Sequence, residues 1–207
     1  MSNSPVVIDI YHGDTVIDFA KTKAFGIVGV IHKASQGASI PDRAYASRRK
    51  LALNAGLLWG AYHFLSLEDG ATQADHFLSM ADVDATTLLA LDWESVGNRD
   101  PSAHLARAFL ERIEGKLGRK AKVYSGNVAK EQIKGKDGFF GAHDLWLAQY
   151  GTKWSVQKSW QKPWLWQNNG DNVGPGPHHI PGLSGLIDNN RLVQPMTIKL
   201  MIEQWAK

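Results

Sequence analysis

The 207-residue chain contains no cysteine, which removes disulfides, thiolate nucleophiles and cysteine-ligated metals but leaves both reducing and oxidising compartments open. It also lacks any long apolar run. After the polar start Met1 to Pro5, the stretch Val6 to Ile8 is far too short for a signal-peptide core or a membrane span, so no signal peptide and no membrane insertion are expected. No Gly-x-Gly-x-x-Gly follows the first strand-like run and no Gly-Lys-Ser/Thr loop occurs, which takes away the usual support for a nucleotide-binding open sheet. Metal-ligand spacing is missing too. His12, His32, His63, His104 and the adjacent His178-His179 fall into no His-Glu-x-x-His or comparable pattern, so no metal and no cofactor are expected. There is no Gly-x-Ser-x-Gly elbow, and Ser125-Gly126 alone does not make a serine hydrolase. The net charge of +3 comes from basic residues dispersed among acids, with no arginine-rich arm or basic stripe, which argues against nucleic acid as a partner.

What remains is a chain with 43% hydrophobic and 21% charged residues, long enough to bury one full core, and a single domain over 1–207 is the economical reading. Strand-like runs occur at Val6 to Ile10, Gly26 to Ser35, Leu57 to Leu65, Thr87 to Ser95, Ala121 to Gly126, Leu145 to Gly151, Trp164 to Asn168 and Gly185 to Leu192. Helical patterns lie between the early ones, at Asp42 to Ala55, Ala71 to Ala81 and Pro101 to Leu117, with shorter helices at Val16 to Ala24 and Val128 to Ile133. In the third, Leu105, Phe109, Ile113 and Leu117 form the stripe expected to face a sheet, behind an Asp100 cap. After Tyr150 the alternation fails, and 153–162 and 170–184 read as loops, the second rich in Gly and Pro and expected to border a cleft. Ile198, Met201, Ile202 and Trp205 mark a final helix. Strand-helix alternation of this kind predicts an α/β fold, a closed parallel barrel of eight strands that is irregular after Tyr150, with reactive residues at the strands' C-terminal ends.

The run TLLALDWES carries Asp92 and Glu94 in apolar surroundings, where ionised carboxylates are rarely left without a purpose. Residues two apart in a strand share a face and sit roughly 6.6 Å apart along the backbone, so two acids can address one sugar ring. A structural ion pair with Lys33 at the barrel mouth is an equal alternative for this pair. Asp9 after VVI and Asp188 after GLI could each simply cap a turn. Four like charges gathered together are harder to explain as capping, because their mutual burial costs more than capping returns. The barrel reading requires Asp9, Lys33, Tyr62, Asp92, Glu94, Tyr124, Gln167 and Asp188 to converge on one rim. Of the eight tryptophans, Trp146 and Trp166 sit in strand-like runs and could serve as core or as sugar platform, whereas Trp154 and Trp160 are expected to be exposed.

The segments VVIDIYHG, VIHKASQG, GAYHF, LLALDWES, KVYSG, LWLAQY, WLWQ and LIDNNRL, in this order and spacing, resemble glycoside hydrolase family 25, the Chalaropsis-type lysozymes. The resemblance spans nearly the whole chain. It implies an eight-stranded TIM-like β/α barrel with fewer than eight helices and a muramidase acting on peptidoglycan glycan strands. By position, Glu94 matches the family's proton donor, and Asp9, Asp92 and Asp188 match its other active-site acids. Lys33, Tyr62, Tyr124, Trp146, Trp166 and Gln167 are then candidate substrate contacts. The chain departs from the family at Asp-Ile-Tyr-His-Gly, where members often have Asp-Val-Ser-His-His, and after Gln167, where Asn-Asn replaces an aromatic. Other implied properties are a monomer acting at the bacterial wall, periplasmic or extracellular, after endolysin-like phage release or another export route. Two other functions fit the same residues: a chitinase-like or endo-N-acetylglucosaminidase enzyme, and a non-catalytic wall-sugar-binding protein. Ala90 counts against the first, since an extended Asp-x-Asp-x-Glu pattern needs an acid there.

Overall fold

The computed structural model describes residues 4–207; Met1 to Asn3, part of the polar start considered above, lie outside the described residues. In chain order the strands are β1 (Val7–Ile10), β2 (Thr15–Val16), β3 (Gly29–Gln36), β4 (Ile40–Pro41), β5 (Leu58–Phe64), β6 (Leu88–Asp92), β7 (Lys122–Ser125), β8 (Leu145–Ala148), β9 (Leu165–Asn169), β10 (Leu183–Ser184) and β11 (Asp188–Arg191). The helices are α1 (Phe19–Phe25), α2 (Tyr45–Asn54), α3 (Gly70–Met80), α4 (Ala103–Leu117), α5 (Asn127–Gln132), α6 (Gly138–Gly141) and α7 (Ile198–Gln204).

Eight strands close a barrel in the order β1, β3, β5, β6, β7, β8, β9, β11 and back to β1. All eight strand-like runs of the sequence are present. The barrel is mixed rather than parallel, because β11 runs antiparallel to both β9 and β1. The cause lies in the connection: residues 170–187 return from β9 without a helix to carry the chain back across the sheet, and a strand re-entering from the same end must run the other way.

Alternation along each strand sorts the core into two layers. Ile8, Ile10, Val30, Leu89, Leu91, Trp93, Val123, Leu145 and Leu147 point outward into the cluster shared with the helices. Val7, Ile31, Leu88, Ala90, Tyr124, Trp146 and Leu165 point inward and fill the barrel. The lower end is plugged by α7, whose Met201 and the adjoining Trp205 belong to the inner cluster. Gly29 makes room for that plug, since a Cβ there would stand 2.6 Å from the Trp205 ring.

Two sequence expectations need correction. The buried face of α4 is Ala106, Phe109, Leu110 and Ile113, capped by Ser102 rather than Asp100, and Leu117 is exposed. A strict four-residue repeat drifts about 40° per step around a helix of 3.6 residues per turn, so Leu117 has rotated off the face that Phe109 occupies. Trp160 is buried, donating its indole N–H to the His143 carbonyl at 2.8 Å, and Trp154 packs partly buried on the outer core. These indoles help anchor the helix-free connection from β8 to β9, which has no amphipathic helix of its own to bury.

Candidate active site

The alternation that fills the barrel also delivers its polar residues to the upper rim. Asp9 follows Val7 on the inward face, Lys33 follows Ile31, and Asp92 follows Ala90. Glu94 lies just past β6, yet backbone bonding continues, with the Trp93 amide donating to the Tyr124 carbonyl at 2.9 Å. That keeps Glu94 on the side of Asp92 while Trp93 between them points outward, stacked on Phe140 with ring centroids 5.3 Å apart. Antiparallel pairing of β1 with β11 sets Asp9 directly opposite Asp188. One cavity of about 230 Å³ is lined by Asp9, Tyr11, Lys33, Tyr62, Phe64, Asp92, Glu94, Tyr124, Trp146 and Asp188.

Burial dominates the electrostatics. Asp92 is pushed well above the carboxylate range by desolvation and then by the charges of Glu94 and Asp9, with Lys33 opposing. Glu94 is raised by burial first and by Asp188 second, again against Lys33. Repulsion among the acids therefore ranks behind loss of water. Asp9 is pushed well above the carboxylate range by burial and then by Asp188, with hydrogen bonds from Asn190 and Gln167 pulling against that rise. Asp188 is raised to about 6, mainly by burial, with the Asp171 amide opposing. Tyr62 and Tyr124 are pushed well above the phenol range by burial and the surrounding carboxylates, which keeps both as hydroxyl donors.

Lys33 forms no ion pair within 4.0 Å of any carboxylate among the described residues; its ammonium sits 5.0 Å from the Tyr11 ring centroid and reaches Gln36 at 3.5 Å. The structural ion pair considered for Asp92 and Glu94 is therefore absent there. Asp92 is 6% exposed, and its Oδ1 has no hydrogen-bond partner among the described residues. A buried acceptor left open in this way is costly unless a ligand donor uses it.

Two of the sequence candidates sit elsewhere. Trp166 follows the inward Leu165 and so faces outward, donating to the Gln149 carbonyl at 2.6 Å and lining a separate groove beside Arg191 and Met196. Gln167 is buried beneath the cavity, where it binds Asp9, Asp188 and Tyr124 rather than lining the space. The Gly/Pro-rich segment after it supports the site from behind, the Asp171 amide donating to Asp188 Oδ1 at 3.1 Å. Sequence reasoning did not select Tyr11, Phe64 or Asn190. Phe64 and Asn190 were findable as the same-face neighbours, two residues on, of Tyr62 and Asp188. Tyr11 was not, because it lies beyond the end of β1, where strand alternation no longer predicts direction.

The Asp188 carboxylate should cost stability. A folded-state value near 6 against 3.8 means that the folded chain binds more protons between those values, so stability falls as pH rises through that window and stays reduced above it. Asp188→Asn is expected to raise the stability at pH 7 by about 1–2 kcal/mol, a gain that fades towards pH 4. Thermal unfolding of both proteins from pH 4 to 8 measures it; a difference independent of pH would contradict the assignment.

A family profile described as glycosyl hydrolases family 25 matches residues 8–176. An autolytic lysozyme of Clostridium acetobutylicum is 32% identical over 151 residues, covering 70% of this chain and 45% of that protein. A lysozyme of Streptomyces globisporus is 25% identical over 204 residues, covering 89% of this chain and 66% of its own. The chain thus spans roughly half to two thirds of the length of these relatives. Among solved structures, the bacterial lysozyme of Streptomyces coelicolor superposes with a TM-score of 0.87 at 22% identity, covering 99% of both chains, which speaks for the shared fold. With the family profile matching well over half of its length, this chain belongs to glycosyl hydrolases family 25.

Proposed function

We propose that the chain is a peptidoglycan muramidase, hydrolysing the β-1,4 bond between N-acetylmuramic acid and N-acetylglucosamine, with Glu94 as general acid. The observation that carries this reading is the convergence of Asp9, Asp92, Glu94 and Asp188 with Lys33 on one cavity. Glycoside cleavage needs one carboxyl that is protonated and another group that stabilises positive charge at the anomeric carbon. Glu94, raised by burial and Asp188, suits the first role. It protonates the departing glycosidic oxygen.

Asp92 suits the handling of the 2-acetamido group. Its unpartnered, buried Oδ1 accepts the acetamido N–H, and this turns the acetamido carbonyl oxygen towards the anomeric carbon. That oxygen forms the new bond to carbon as the bond to the leaving oxygen breaks. The resulting oxazolinium ion is opened by water, whose proton returns to Glu94, and the configuration is retained. Asp9 and Asp188 border the positive charge that develops, while the Tyr62 hydroxyl donates to the sugar and the Tyr124 oxygen, its proton given to Gln167, accepts from it. Lys33 limits the net negative charge of the cavity. The relatives named as lysozymes support this substrate, and action at the bacterial wall follows from it.

Mass spectrometry of digested, purified peptidoglycan tests the specificity. The expected products carry muramic acid at the new reducing end. N-acetylglucosamine at that end would identify a glucosaminidase instead, and an undigested wall would point to a binding protein.

A further inference from the structure

Both oxygens of Asp9 accept hydrogen bonds from neutral side-chain amides. Gln167 Nε2 donates to Oδ1 at 2.7 Å, and Asn190 Nδ2 donates to Oδ2 at 2.7 Å. An amide can present either its NH2 or its carbonyl, and only the NH2 end favours an ionised carboxylate. What fixes Asn190 is on its far side. The Trp146 indole N–H, which can only donate, bonds Asn190 Oδ1 at 2.6 Å, so the amide must turn its nitrogen towards Asp9 and the Val7 carbonyl, 3.2 Å away. Gln167 is held in the same sense, its Oε1 taking the Tyr124 hydroxyl at 2.7 Å. Asn190, Gln167 and Trp146 are each at most 2% exposed, so water cannot replace these partners.

A backbone irregularity brings the two amides together. Asn189 pairs with Asn169 but Asn190 with Gln167, so Asn168 is an extra residue on β9. Such a bulge reverses the alternation of the strand, letting Gln167 face the barrel beside Asn190 while Asn169 turns outward to bind Pro175 and Pro177.

We propose that Trp146 and Asn190 are positioning residues that hold Asp9 in its ionised form, Trp146 acting through the orientation it imposes on the Asn190 amide. In turnover, which rests on the muramidase reading above, this keeps one permanent negative charge beside the anomeric carbon while Glu94 carries the proton. Burial and the carboxylates of Asp188 on β11, Asp14 beyond β1 and Asp92 on β6 favour the protonated acid, but both Asp9 oxygens already accept amide N–H bonds, and a proton there has to compete with those donors. The phenols of Tyr62, Tyr124 and Tyr150 also face Asp9, and Lys33 is the cation of the cavity.

The test is an NMR titration of the Asp9 carboxyl carbon in substrate-free protein, compared with the pH profile of kcat/KM. Trp146→Phe keeps a buried ring but loses the donor, freeing Asn190 to turn its oxygen towards Asp9; Asn190→Ala removes the amide. Each is expected to move the Asp9 midpoint upward by about one unit, with the acid limb of the profile following. The double variant should shift no further than Asn190→Ala alone. An Asp9 midpoint unchanged in Trp146→Phe, or shifts that add in the double variant, would overturn the proposal, as would a higher KM with the pH profile unmoved, the mark of a sugar platform. Should a variant fail to fold, the wild-type titration still decides, because an Asp9 that is protonated at neutral pH excludes the lock. The Asp9 midpoint is read without substrate, so failure of the muramidase reading appears separately, as wild-type protein that leaves the wall intact.

Discussion

Glu94→Gln is expected to lower turnover of purified peptidoglycan by roughly 10³-fold, within the range that a general acid supplies, while fold and glycan binding persist. Gln fills the same volume and keeps a carbonyl, but it has no proton acidic enough to pass to a glycosidic oxygen. Gln also cannot ionise beside Asp92, whose elevated protonation owes its second-largest contribution to Glu94. The variant should therefore be at least as stable as the wild type at neutral pH, so a loss of activity would not reflect unfolding. Wall clearing, glycan binding by titration calorimetry and thermal unfolding together check this. Near-full turnover would remove Glu94 from the role of acid.

Asp92→Asn should cost about 10²- to 10³-fold, on the scale of losing one group that orients or stabilises the reacting centre. The effect should depend on the substrate. If Asp92 works by accepting the acetamido N–H, a glycan whose 2-acetamido group has been converted to an amine offers nothing for it to orient. Wild type should then be slow on that glycan, and Asp92→Asn should add little further loss. A carboxylate attacking the anomeric carbon directly would instead make the substitution equally severe on both substrates. Early-time NMR of the released products adds the stereochemical check, since an inverted anomer excludes both routes to retention.

Much of the site was visible in the one-dimensional pattern because a strand has a period of two. Val7 and Asp9, Ile31 and Lys33, and Ala90 and Asp92 each read as an inward apolar residue followed by an inward polar one, and the structure puts all three polar residues on the cavity. For Trp166 the sequence left core and sugar platform open, and the structure turns it outward because its neighbour Leu165 fills the barrel. Gln167, expected on the rim with the acids, lies buried beneath the cavity behind Asp9. In the pair after it, where the chain departs from the family pattern, Asn168 is the bulged residue and Asn169 the outward partner of Asn189.

By itself the sequence determined the number and order of the barrel strands, the absence of thiol and disulfide chemistry, and the four carboxylates placed at strand ends, because each of these is written in local composition and alternation. Only the tertiary structure decided that β11 runs backwards and thereby sets Asp188 opposite Asp9, and that desolvation outweighs mutual repulsion in raising the acids. It alone paired an indole with an amide from a strand far away in the chain to orient the hydrogen bonds on Asp9. Pairing direction, burial and hydrogen-bond partnership depend on which distant segments become neighbours, and that is fixed when the barrel closes.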